Sequence, residues 1–318
     1  MKIRRYYQYF REYGFRCSLA FILSLLFPYH DKGKLSWSLL QHKHNVLLKY
    51  LKKHYYHLAL NSEVRSQKES KYKDCIWTAW LQGEENAPES IRMTLASIRQ
   101  NANGHQVIVL TNRCIDQFVE VPKKIKEKYK LGIIGNAHYA DVVRMMVLAK
   151  YGGLWLDATT LLHEQVNEES FLNDFYSVAQ PDSKPSRDVA NHRWIVGIIG
   201  GMPESVYLAR ISSMLNAFWC EHIICIDYLV FDYLLAMLYH NDKSFSATVE
   251  ALARMEYSST ALRRILNTPY DENTVSQLMI ERQIYTITYK QYYFKSTPDG
   301  RETVYGHLYK SYLGEKEG

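Results

Sequence analysis

Residues 138–160 read HYADVVRMMVLAKYGGLWLDATT. Residues 138–151 are expected to form a helix that Gly152 and Gly153 close, because glycine lets the chain leave a helix sharply. Leu154, Trp155 and Leu156 are all apolar, as in a central strand buried on both faces. The strand runs into Asp157-Ala158-Thr159. A carboxylate at the carboxyl end of a buried parallel strand faces the crevice where α/β proteins bind ligands. A hard cation needs oxygen ligands, so Asp157 is a candidate metal ligand bridging to a diphosphate. The alternative is a strand-end Asp capping the next turn. Asp141 and Arg144 lie three apart and share one helix face. Such a pair can bond sugar hydroxyls from both sides, or it can be an ordinary surface salt bridge.

On both sides of this segment strands alternate with helices. CIWTAW (75–80) and QVIVLT (106–111) read as strands, with a helix over 88–100 between them. A short charged helix follows over 122–130. Later strands are expected over 175–180, 194–200 and 284–290, with a mostly helical stretch from 203 to about 267. This alternation predicts an α/β fold with a mixed, mainly parallel, Rossmann-like sheet flanked by helices. Neither GxGxxG nor GxxxxGK[ST] occurs, which argues against a dinucleotide-dependent dehydrogenase and a P-loop NTPase. A nucleotide bound here would need its phosphates managed another way, and a divalent cation is the common one.

The charge is uneven. Residues 1–73 hold 15 Lys and Arg against 4 Asp and Glu, a net +11; the remainder holds 24 against 29, a net −5. The chain is therefore divided into a basic N-terminal arm with a linker helix (1–73) and a main domain (74–318). The arm contains CSLAFILSLLF (17–27), preceded by Arg4, Arg5, Arg11 and Arg16 and by Tyr6, Tyr7, Tyr9, Phe10 and Tyr13. Spanning a bilayer takes roughly 20 apolar residues, so this run is too short. Pro28, Tyr29 and His30 follow it where a signal peptide would carry small residues. It reads as an in-plane membrane anchor on an anionic cytoplasmic leaflet, or else as a core helix. A nucleic-acid partner would rest on the basic arm alone and is not expected. The five cysteines show no metal-ligand spacing and no CxxC, in keeping with a reduced, cytoplasmic setting.

YADVVRMMVLAKYGGLWLDAT resembles the sugar-binding, DxD-containing region of glycosyltransferase family 32 and the related bacterial capsular polysaccharide synthesis proteins. The large clostridial glucosylating toxins carry a similar arrangement. The resemblance is strongest over residues 75–162. It implies a GT-A fold, a nucleotide-sugar donor (usually a UDP-sugar), Mn²⁺ or Mg²⁺, and usually retention of configuration. It places Asp141 and Arg144 on the donor sugar, with Tyr139 and Gly153 beside them, and Trp77 stacked on the uracil. Asp157 would be the first DxD acid. Thr159 stands where the second acid would be, and a hydroxyl is a weaker ligand. Related enzymes close over the donor with a late loop, here His307 on the metal and Lys310 on the leaving diphosphate. Asp227 or Asp232 would hold an acceptor hydroxyl. These assignments imply hexosyl transfer to a lipid-linked saccharide in bacterial surface-polysaccharide assembly, by a protein held peripherally on the inner face of the cell membrane. The rival readings are a metal-dependent sugar-phosphate or phosphodiester enzyme using Asp157 and His307, and a scaffold of the assembly machinery whose DxD no longer works.

Overall fold

The computed structural model describes residues 2–26, 33–61, 70–180, 186–254, 261–281 and 284–314. Phe27, the last residue of the apolar run, residues 28–32 after it, and most of the expected connector (62–69) lie outside the described residues.

Five strands form the central sheet: β1 (Ile76–Ala79), β2 (Val107–Leu110), β3 (Gly153–Leu156), β5 (Tyr176–Ser177) and β6 (Ile198–Gly201), in the order β2-β1-β3-β6-β5. β1 pairs parallel with both β2 and β3, whereas β6 runs antiparallel to its neighbours β3 and β5. Four of the five strands thus point one way, and the fold is mixed α/β with a mainly parallel sheet, as expected. β4 (Thr160–Leu162) and β7 (Ile284–Thr286) make a separate antiparallel pair, of which only β7 was expected.

Residues 138–160 fold as their pattern requires. The Asn136–Tyr151 helix ends at Gly152, whose amide bonds Leu148 O at 2.8 Å. Gly152 and Gly153 both have positive φ, +69° and +96°. A Cβ on Gly153 would stand 2.3 Å from the carbonyl oxygen of Cys75, the residue that leads into β1. Glycine is therefore required there twice, by the backbone conformation and by the close approach of β1 to β3.

The largest departure is N-terminal. The Lys34–Leu60 helix, expected as a linker outside the main domain, shares the principal core with it. Leu47, Leu51, Tyr55 and Ala59 recur at helical spacing and are buried with Phe218, Trp219 and Leu234. The Lys2–Ser24 helix packs on it and turns at Gly14 (φ +75°). Its inner stripe of Tyr9, Tyr13, Cys17 and Ala20 is buried. Among the described residues no helix is long and apolar enough to cross a membrane. The tail expected around His307 is a helix, Val304–Leu313, packed on the Glu89–Gln100 helix.

Candidate functional site

A cleft of about 280 Å³ opens at the carboxyl ends of β1 and β3. Its floor is Asp157 and Thr159; its walls include Trp80, His138, Asp141, Tyr228, Phe231, Asp232 and Tyr289. It lies where strand polarity predicts a ligand crevice in an open α/β sheet.

Arg144 organises it. The side chain is 4% exposed, and one nitrogen, Nη2, reaches both Asp157 Oδ1 (2.8 Å) and Asp141 Oδ1 (3.2 Å). Nη1 donates to Val196 O. The guanidinium lies over the Trp155 ring at 5.0 Å and faces Phe231 at 5.5 Å. A planar fork of donors held between rings and carboxylates has little freedom left, so the two acids are fixed as well. Asp157 Oδ1 also accepts from Trp155 Nε1 at 2.8 Å. The Asp157 side chain is still 42% exposed. Its Oδ2 has no hydrogen-bond partner among the described residues. Gly197 makes room for this carboxylate, since a Cβ there would come within 2.8 Å of Oδ2.

Asp232 forms the opposite wall. It is 8% exposed and accepts from Trp194 Nε1 at 3.0 Å. Burial pushes its carboxyl up to about 7, with Asp141 and Asp188 adding to the rise while the Trp194 N–H and Arg144 oppose it. Near neutral pH the group therefore exchanges a proton readily. Among the described residues Trp80 Nε1, His138 Nδ1 and Arg144 Nε have no hydrogen-bond partner, His138 Nδ1 lying 3.6 Å from Asp141 Oδ2. Buried polar atoms are rarely left so, and these three gather around one cleft.

Of the residues expected from sequence, Asp141, Arg144, Asp157, Thr159 and Asp232 converge here. The others do not. Trp77 is fully buried, donates to Gly152 O at 3.0 Å and stacks on Tyr151, so no base can reach its ring. Tyr139 is buried against Tyr129, with ring centroids 3.9 Å apart. Gly153 serves the β1–β3 approach. Asp227 binds Lys43 Nζ and the Leu229 amide, both at 3.0 Å, and braces the Lys34–Leu60 helix. His307 stacks on Tyr270 at 3.8 Å, and Lys310 pairs with Glu302 at 2.7 Å, away from the cleft. The cleft aromatics missed in sequence include Tyr228, Phe231 and the pair Trp80 and Tyr289, set edge-to-face at 5.3 Å. A signal for Trp80 existed: it stands at the carboxyl end of β1, where the crevice opens, whereas Trp77 stands mid-strand.

Among the described residues no three His, Cys, Asp or Glu side chains converge on a cation position. What the cleft offers a hard cation is the open Oδ2 of Asp157 with Thr159 two residues on. That fits an Mg²⁺-like ion bound through one carboxylate and a substrate's phosphates, rather than an all-protein cage.

A family model described as "Capsular polysaccharide synthesis protein" matches residues 30–308. The chain belongs to the capsular polysaccharide synthesis protein family. Membership ties it to polysaccharide biosynthesis and is consistent with a transferase. The matched range begins before the Lys34–Leu60 helix, so this family's unit includes the helix that packs into the core. No curated protein matches the chain.

Proposed function

We propose that this protein is a glycosyltransferase of the GT-A type, similar to family 32, that moves a sugar from a nucleotide-sugar donor, such as a UDP-sugar, to a saccharide acceptor. The observation that carries the reading is Arg144 fixed between Asp141 and Asp157 at the carboxyl end of β3. Asp141 holds the donor sugar by accepting from its hydroxyls, and Arg144 keeps that carboxylate in place from behind. Trp80, rather than Trp77, is the ring on which the base stacks. A divalent cation, Mn²⁺ or Mg²⁺, bound through Asp157 Oδ2 and Thr159 would offset the charge of the leaving diphosphate. Asp232, able to take up a proton near neutral pH, faces the acceptor hydroxyl.

Saturation-transfer NMR with a panel of nucleotide sugars tests the donor site. A UDP-sugar is expected to receive saturation from the protein, and Asp141→Asn and Trp80→Ala to weaken it. If no nucleotide sugar is saturated, or if both variants bind as the parent does, the reading is wrong. Titrating Mn²⁺ calorimetrically with and without UDP tests the cation. Tight binding is expected only with UDP present, and Asp157→Asn should abolish it.

A further inference from the structure

The Lys2–Ser24 helix has two unlike faces. The inner one closes on the domain: Tyr9 donates to Ile226 O at 2.8 Å, Tyr13 to Ile224 O, and Glu12 pairs with His222 at 3.0 Å. The outer one leaves Tyr7 (61% exposed), Phe10, Phe15 (65%), Leu19 and Ile22 in solvent, and Leu26 (63%) just beyond continues the stripe. Beyond the turn at Gly14, Phe15, Leu19, Ile22 and Leu26 recur every three or four residues and so form one line, with Tyr7 and Phe10 exposed on the other side of the turn. A contiguous apolar line of this length on a surface marks an interaction site rather than chance exposure.

The charge beside it narrows the partner. Arg5, Arg11 and Arg16 are exposed, and among the described residues none of them has an acidic partner. The helix carries five Lys and Arg against one Glu. Arg5 also borders a cavity of about 230 Å³ whose walls are Tyr6, Tyr9, Phe21, Leu25 and Ile224, apolar inside with the guanidinium at its edge. Aromatic and aliphatic side chains interleaved with unpaired arginines match an acyl layer beneath anionic headgroups. The helix has 23 residues but is too polar and too charged to cross that layer.

We infer that the outer face of the Lys2–Ser24 helix lies in the surface of an anionic lipid bilayer, with Arg5, Arg11 and Arg16 on the lipid phosphates. The helix is clamped to residues 222–226, and the chain then runs directly into Tyr228, Leu229, Phe231 and Asp232 of the cleft wall. Docking therefore sets the cleft at a fixed attitude to the bilayer, which suits an acceptor whose lipid end remains in the membrane. The docking itself does not depend on the glycosyl-transfer reading, and its test involves no reaction.

The test is co-sedimentation of the full chain with vesicles of phosphatidylglycerol and phosphatidylcholine, and with vesicles of phosphatidylcholine alone. Binding is expected only to the first and should weaken as salt is added. Combining Arg5→Gln, Arg11→Gln and Arg16→Gln should lower binding about 100-fold. Phe15→Asp with Leu19→Asp should abolish it. All five positions are exposed, so an unchanged melting temperature separates lost docking from lost folding. The inference fails if the parent chain ignores the anionic vesicles, if it binds both kinds equally, or if either folded variant binds like the parent. It fails also if the parent is a dimer in free solution that Phe15→Asp with Leu19→Asp dissociates while vesicle binding persists, since a second copy would then be the partner.

Discussion

The cleft segment and the N-terminal helices solve opposite problems. Residues 138–160 hold a buried charge in place: Arg144 is nearly inaccessible, and its cost of burial is offset by two carboxylates, a carbonyl and an aromatic ring. The Lys2–Ser24 helix leaves Arg5, Arg11 and Arg16 without an acidic partner among the described residues and much of its apolar surface exposed. One region is complete by itself, and the other is complete only against something else. Between them the Lys34–Leu60 helix belongs with the complete part, because its apolar stripe is fully covered.

The two glycine turns break this comparison most directly. Gly153→Ala forces a Cβ into Cys75 O at a positive φ, and a loss of about 4 kcal/mol or more is expected. Gly14→Ala has the same φ problem but nothing within 4 Å of the new Cβ, so about 1 kcal/mol is expected. Thermal unfolding of both variants decides it; equal losses would mean that β1 and β3 are not so tightly apposed.

Leu51→Ala asks to which region the second helix belongs. A core position should lose about 2–5 kcal/mol in urea unfolding. A loss under about 0.5 kcal/mol, as at an exposed surface position, would return that helix to the status of a linker.

Asp232 gives a pH signature. Its carboxyl is raised to about 7 in the folded chain, against about 3.9 when unfolded. The folded state therefore holds the proton more tightly. The stabilisation this gives is complete below about pH 4, is lost as pH rises through about 7, and is level above. Asp232→Asn should remove that slope, so the parent should lose a few kcal/mol relative to the variant between about pH 4 and 8. Parallel pH–stability curves would show that Asp232 is not buried as described.

The smallest contrast is between Trp77 inside β1 and Trp80 just past its carboxyl end. Trp80→Ala should weaken nucleotide binding by about 1–3 kcal/mol with little change in melting temperature. Trp77→Ala should do the reverse, lowering stability through a lost core side chain. If Trp77→Ala leaves stability intact and abolishes nucleotide binding, the two roles are exchanged.

Much of the site was readable because its grammar is local. Helix, glycine pair, apolar triplet and acid occupy 138–160, and each step follows from backbone preference and periodicity within a few residues. The alternation of strands and helices around it was readable for the same reason. The second helix was misjudged because its many lysines and histidines mask an apolar stripe that only the facing core explains. Trp77 and Trp80 both sit in the apolar run 75–80, and composition does not say which ring faces the crevice. His307 and Lys310 were chosen by resemblance, but folding pairs them with Tyr270 and Glu302 instead.

By itself, then, the sequence determined the turn at Gly152 and Gly153, the buried strand after it, the placing of Asp157 at that strand's carboxyl end, and the Asp141–Arg144 pairing. Only the tertiary structure decided that Arg144 also holds Asp157 and Val196 O, that Gly197 clears space for the carboxylate, and that Asp232 forms the far wall beside Trp194. The physical reason is range. Backbone turns and helix faces are set by neighbours a few residues away, whereas burial, desolvation and the direction a side chain takes are set by whatever the fold brings against it.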